Sequence, residues 1–113
     1  MKNDCLFCAI AAGDIPSDKV YEDDVCLAFK DIDPQAPLHF LVIPKAHIGS
    51  VADVGADNSS VIAHIFEVIA KVAREQGAES YRVVSNTGKQ AGQSVPHLHF
   101  HVLSGRDMTW PPG

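Results

Sequence analysis

His97-Leu98-His99-Phe100-His101-Val102-Leu103 alternates imidazole with apolar side chains. Side chains of a strand point to opposite faces in turn, so this pattern predicts a strand over residues 97–103. His97, His99 and His101 would line one face, while Leu98, Phe100 and Val102 enter the core. Successive imidazoles would then be attached roughly 7 Å apart. Imidazole titrates near neutrality, so such a row offers a neutral nucleophile beside a proton donor. A solvated polar face or a surface metal chelate has the same pattern. The loop just ahead, Gln90-Ala91-Gly92-Gln93-Ser94-Val95-Pro96, adds glycine, an amide and a hydroxyl. Glycine permits close backbone approach and successive N–H groups can form an anion-binding nest, so a phosphate beside the imidazoles is the simplest ligand.

Outward from that stretch, residues 80–85 read as a second strand, joined to it by the loop 86–94. Residues 20–22 and 25–30 read as a hairpin turning at Asp23-Asp24. Asp33-Pro34-Gln35-Ala36-Pro37 breaks regularity before a central strand over 38–43, which Pro44 ends. Apolar spacing predicts a short helix over 5–12 with Gly13 as its stop, and a long one over 57–76 with Asp57 or Asn58 able to cap it and Gly77 able to end it. Adjacent short strands with few helices indicate an α+β domain with an antiparallel sheet. On the long helix, Val61, Ile62, Ile65, Phe66, Val68, Ile69, Val72 and Ala73 cover most of the circumference. One sheet cannot cover so wide an apolar face, and the same helix in a second copy of the chain is the simplest further partner.

At 113 residues the chain is expected to form a single domain, 1–113. A formal net charge of −5 disfavours binding to nucleic acid, which needs a basic patch. Met1-Lys2-Asn3-Asp4-Cys5 lacks the basic start and apolar run of an export signal, and charge interrupts every apolar window before the ~20 residues that span a bilayer. A cytoplasmic protein with no membrane partner is expected, so its three cysteines should stay reduced. Cys5 and Cys8 stand one turn apart on one helix face, the spacing of a soft-metal chelate, a redox pair or two buried thiols. Cys26, in a strand, reads as a buried small hydrophobe. His64 falls on the polar arc of the long helix and reads as solvated, and His39 reads as a packing histidine.

The run from Gly92 to Leu103 closely resembles the signature of the histidine triad (HIT) nucleotide-binding family, His-x-His-x-His followed by two apolar residues. Ile15-Pro16, Tyr21-Glu22-Asp23-Asp24, Leu27-Ala28-Phe29, Asp31-Ile32, Pro34-Gln35-Ala36-Pro37, Leu41-Val42-Ile43-Pro44-Lys45 and Trp110-Pro111-Pro112-Gly113 resemble its purine nucleoside phosphoramidase branch. The resemblance implies a HIT-like homodimer with a five-stranded antiparallel sheet, a long helix and a short N-terminal helix in each subunit. It implies hydrolysis of a purine nucleoside phosphoramidate, with His99 attacking the α-phosphorus and water then releasing the nucleoside monophosphate. His101 would hold phosphate oxygens, Ser94 would assist the leaving amine, and His97 completes the triad. Asn86, Gly92 and Gln93 match phosphate contacts, Asp31 the ribose-binding acid, and Phe7, Ile10, Ile15, Phe29 and Ile32 the walls around the base. Trp110 matches a residue that crosses to the neighbouring subunit's site.

Pro96 departs from the branch, which usually has an aromatic residue there, and bears on the leaving-group side of the pocket. His101 separates the chain from the uridylyltransferase branch, which carries glutamine at that position. Some relatives with the cysteine pair hold zinc, which here implies Cys5, Cys8, His47 and His97 as a closed, structural shell. Two other readings stand beside this one: hydrolysis of dinucleoside polyphosphates, and a nucleotide-binding interaction protein whose catalysis is incidental.

Overall fold

In a computed structural model, which describes residues 5–113, one antiparallel sheet organises the chain. The elements run α1 (Leu6–Ala11), β1 (Lys19–Glu22), β2 (Cys26–Lys30), β3 (Leu38–Pro44), a 3₁₀ turn (Val51–Asp53), α2 (Ser59–Glu75), β4 (Arg82–Val84) and β5 (Phe100–Ser104). The strand order is β1-β2-β3-β5-β4, which puts β3 in the centre, as its buried apolar run Phe40-Leu41-Val42-Ile43 requires. Pro44 closes β3 but still pairs with Cys26.

Strand parity divides the core into two layers. Cys26, Ala28, Phe40, Val42, Phe100 and Val102 face α2 and pack on its Ile65, Val68, Ile69 and Val72. The alternate residues Leu27, Phe29, Leu41 and Ile43 face α1 and pack on Phe7 and Ile10. His39 shares this second face with Leu41, and His101 does so from β5. α1 is too short to hold its shape alone and depends on this contact. Gly13 (φ +85°) ends it in a left-handed conformation that costs glycine little. Among the described residues, no helix is long and apolar enough to cross a membrane.

Several local expectations need correction. Asn58 precedes α2 but does not cap it with its side chain; its amide instead accepts from Gly55 N–H and donates to the Asp53 carbonyl. His64 is not simply solvated. Its Nε2 lies 2.6 Å from Asp23 Oδ2, which also accepts from the Tyr21 hydroxyl, while Asp23 Oδ1 accepts from the Val25 and Cys26 amides. Burial opposes ionisation of Asp23, but hydrogen bonds from His64, the Cys26 and Val25 amides and Tyr21 outweigh it and hold the carboxyl well below its usual range. This polar knot ties the middle of α2 to the β1–β2 turn. Of the wide apolar arc, Ile65, Val68, Ile69, Val72 and Ala73 are buried on the sheet, and Phe66 stays 47% exposed.

Candidate active site

The expected strand over 97–103 is ordered as a strand only from Phe100. Ahead of it the backbone bonds elsewhere: His97 N–H donates to the Val95 carbonyl and Leu98 N–H to the Ile48 carbonyl. Leu98, Phe100 and Val102 are buried toward α2 as the alternation requires, and the three imidazoles lie on the opposite, α1-facing side. His97 turns toward α1 and the segment after β3, while His99 and His101 stay together with ring centroids 5.1 Å apart.

Each histidine has a tautomer dictated by its neighbours. His99 Nδ1 lies 2.7 Å from the His97 carbonyl oxygen, which can only accept. The proton therefore sits on Nδ1, and Nε2 of the neutral ring carries the lone pair. The Phe7 ring stands edge-on to His99 at 5.1 Å and 90°, fixing the imidazole from the α1 side.

His101 is set through His39, which is hydrogen-bonded rather than merely packed. Gln35 N–H donates to His39 Nδ1 at 3.0 Å, so the neutral His39 ring carries its proton on Nε2, 2.9 Å from His101 Nδ1. His101 accepts there and keeps its own proton on Nε2, ready to donate to a phosphate oxygen. Asp31 Oδ2 lies 3.4 Å from His39 Nε2 and 3.8 Å from His101 Nδ1, while its Oδ1 accepts from Asp33 N–H. Burial, with His99 and His39 alongside, pushes His101 down to about 4, and burial also lowers His39 despite Asp31. Both rings are therefore neutral at neutral pH. His39 is the functional residue that sequence reasoning missed. Only the β3–β5 register, which makes Leu41 the partner of His101, brings it within reach.

On the other side of His99, the donor atoms of Cys5, Cys8, His47 and His97 all lie within 4.8 Å of one another. His97 Nδ1 is 3.2 Å from Cys5 Sγ, 3.5 Å from Cys8 Sγ and 3.2 Å from His47 Nδ1, and Cys8 Sγ is 3.2 Å from His47 Nδ1. A tetrahedral zinc with ordinary Zn–S and Zn–N bonds needs donor separations of roughly 3.3–3.8 Å, so the set fits one ion with little adjustment. His97 Nε2 lies 2.9 Å from the Pro44 carbonyl, so the ring proton is there and Nδ1 is the free donor, the usual outer support of a metal-binding histidine. Burial lowers the His97 pKa, favouring that neutral form. Cys26 lies outside the group, and burial pushes its thiol up to about 12, as suits an inert core residue.

The remaining expected residues divide. Phe7, Ile10 and Phe29 come together beneath the histidines, whereas Ile15 is 38% exposed and Ile32 fully exposed on the β2–β3 loop. In the loop 90–96, where an anion-binding nest was expected, the Gly92 and Gln93 N–H groups donate to the Lys89 and Gly88 carbonyls. The Gln93 side chain braces the same loop, accepting from Gly88 N–H and donating to the Gly49 and Val95 carbonyls. Asn86 Nδ2 reaches the Gly92 carbonyl at 3.5 Å. Ser94 is exposed on the loop that enters the histidines. Trp110 is 82% exposed, on a tail that Arg82 anchors by donating to the Thr109 carbonyl.

Residues 4–110 match the family model described as scavenger mRNA decapping enzyme C-term binding. An uncharacterized HIT-like protein of Synechococcus elongatus is 46% identical over the full length of both chains. The chain belongs to the histidine triad family. Its fold superposes on that of a HIT family hydrolase from Legionella pneumophila with a TM-score of 0.94, at 50% identity over 97% of this chain and 100% of that one. A histidine triad protein from Clostridium difficile gives 0.91 at 47% identity, covering 96% of each. The hydrolase name of the Legionella pneumophila relative agrees with a hydrolase in general.

Proposed function

We propose that this HIT protein hydrolyses purine nucleoside 5′-phosphoramidates through a nucleotidyl intermediate on His99. The observation that carries the proposal is the 2.7 Å bond from His99 Nδ1–H to the His97 carbonyl, which leaves Nε2 as a fixed neutral nucleophile. The Nε2 lone pair attacks the α-phosphorus, the P–N bond breaks, and the departing amine takes up a proton with help from the Ser94 hydroxyl. Nε2–H of His101 donates to a non-bridging oxygen throughout, where negative charge builds. Water then attacks the phosphorus and gives up a proton that replaces the one the amine took, the P–Nε2 bond breaks, and the nucleoside monophosphate leaves with His99 neutral again.

Phe7, Ile10 and Phe29, with Ile15 and Ile32 at the rim, offer the apolar surface for the base. Asp31 serves the ribose, and Asn86, Gly92 and Gln93 shape the phosphate loop. Cys5, Cys8, His47 and His97 would together hold one zinc ion, which would supply a structural cross-link and not an activated water. The working unit is a homodimer in the cytoplasm, acting on a small nucleotide and not on nucleic acid or membrane. Half-exposed Phe66 on α2, the open edge of β4 and exposed Tyr81 are surfaces a second copy would cover. Trp110, which packs on little of its own subunit, would reach the neighbour's leaving-group side.

A second reading, cleavage of a dinucleotide across a polyphosphate bridge, is favoured by the decapping-enzyme description of the matching family. Incubation with an adenosine phosphoramidate and, separately, a diadenosine polyphosphate distinguishes the two. Turnover of the phosphoramidate alone is expected. Turnover of the polyphosphate alone, or of neither, overturns the proposal.

A further inference from the structure

The His97–Leu98 peptide joins the Cys/His cluster to the nucleophile. Its carbonyl accepts from His99 Nδ1, and its N–H, at the other end of the same rigid plane, donates to the Ile48 carbonyl at 2.6 Å. Ile48 follows His47 directly in sequence. The His97 ring is held at Nε2 by the Pro44 carbonyl and at Nδ1 by Cys5, Cys8 and His47. No strand pairing holds this peptide, because β5 begins at Phe100. What orients it is therefore the meeting of α1, the segment after β3 and the His97 ring.

We propose that Cys5, Cys8 and His47 are positioning residues for the nucleophile. By gripping the His97 ring through a divalent metal, they fix the peptide whose carbonyl sets the tautomer of His99. The proposal rests on His99 being the nucleophile, and it gives the cluster a role beyond tying α1 down. A tilt of the 97–98 plane withdraws the acceptor from His99 Nδ1. A neutral imidazole without that acceptor also populates the tautomer protonated at Nε2, which has no lone pair to offer phosphorus. α1 reinforces the coupling, since Phe7, between the two cysteines in sequence, stands edge-on to both the His97 and His99 rings.

The test uses the full chain labelled with ¹⁵N-histidine, as zinc-loaded protein, as protein stripped by chelator under reducing conditions, and as Cys8→Ala. Long-range ¹H–¹⁵N spectra read the His99 tautomer, and rapid-quench single turnover reads nucleotidyl-histidine formation. The loaded protein should show His99 protonated at Nδ1 alone. Stripping should convert a substantial share to the other tautomer and slow nucleotidylation roughly tenfold. Zinc should restore both in the wild type but not in Cys8→Ala, while unchanged α2 amide signals show that the fold persists. An identical His99 tautomer with and without metal overturns the proposal, as does failure of the reduced protein to take up zinc. A metal-dependent tautomer with no nucleotidyl-histidine in any state upholds the positioning role and overturns the proposed reaction instead.

Discussion

Two clusters flank His99, and they are built in opposite ways. Asp31, His39 and His101 lie on or beside β3 and β5, whose ladder fixes their spacing by register. Cys5, Cys8, His47 and His97 come from a helix end, a short helix and two irregular segments, none of them in strand pairing. The first cluster exists because the sheet exists. The second needs something to hold its members together, and soft donors at tetrahedral spacing are suited to one metal ion. On the proposed reading the sheet-borne group places protons and the Cys/His group aligns the nucleophile, with His99 bonded to the His97 carbonyl of the second and its ring edge-on to His101 of the first.

The largest expected effect comes from removing the residue between them. His99→Ala should lower turnover by on the order of 10³-fold or more while nucleotide affinity, measured by calorimetry, stays within a few-fold, since Asp31 and the apolar walls remain. Near-normal steady-state rates would break the assignment.

Next comes the sheet-borne side. His39→Leu removes the donor that fixes His101 and should cost roughly ten- to a hundredfold in kcat with little change in KM. His39→Gln, whose amide N–H can take the place of Nε2–H, should recover part of the loss. Equal loss in both variants would reduce His39 to packing.

Acid unfolding sharpens the comparison further. The unfolded chain protonates His101 near its ordinary value of ~6.5, whereas the folded protein does so only near about 4. The stability due to neutral His101 is therefore full above ~6.5 and is lost as pH falls toward 4. Replacing His101 by Asn should flatten the stability slope in that window by up to one proton, about 1.4 kcal/mol per pH unit. Urea unfolding at several pH values measures it, and an unchanged slope contradicts a desolvated neutral His101.

The smallest effect concerns the periphery. Deleting residues 110–113 should change relative rates across phosphoramidates with different amines by a few-fold, and the dimer seen by light scattering should persist. An unchanged substrate ranking, or a monomeric native protein, removes Trp110 from the site.

How much of this was legible in the sequence follows the same division. The strands and the long helix were readable because their signals are local: alternation, a proline-bounded apolar run and a helical apolar arc. The 97–103 pattern misled only at its start, since residue type alternates there as in a strand while His97 to Phe100 are all buried and the hydrogen bonds run to Val95 and Ile48. The cysteine spacing marked half of the metal-type cluster, and family resemblance supplied His47 and His97. His39 had no local mark, because its partner is 62 residues away and is reached only through the β3–β5 register. His64 was misread for the same reason, its carboxylate partner lying on a distant turn. Composition showed which N–H groups the loop 90–96 offers, but not that those of Gly92 and Gln93 are engaged with the Lys89 and Gly88 carbonyls.

The most direct test of the account is the covalent adduct itself. Protein mixed with excess adenosine phosphoramidate, quenched within one turnover under alkaline denaturing conditions and digested, should yield one peptide heavier by an adenylyl group. Fragmentation should place that group on His99, and His99→Ala should show none. Turnover without any adduct, or an adduct on a different histidine, would contradict it.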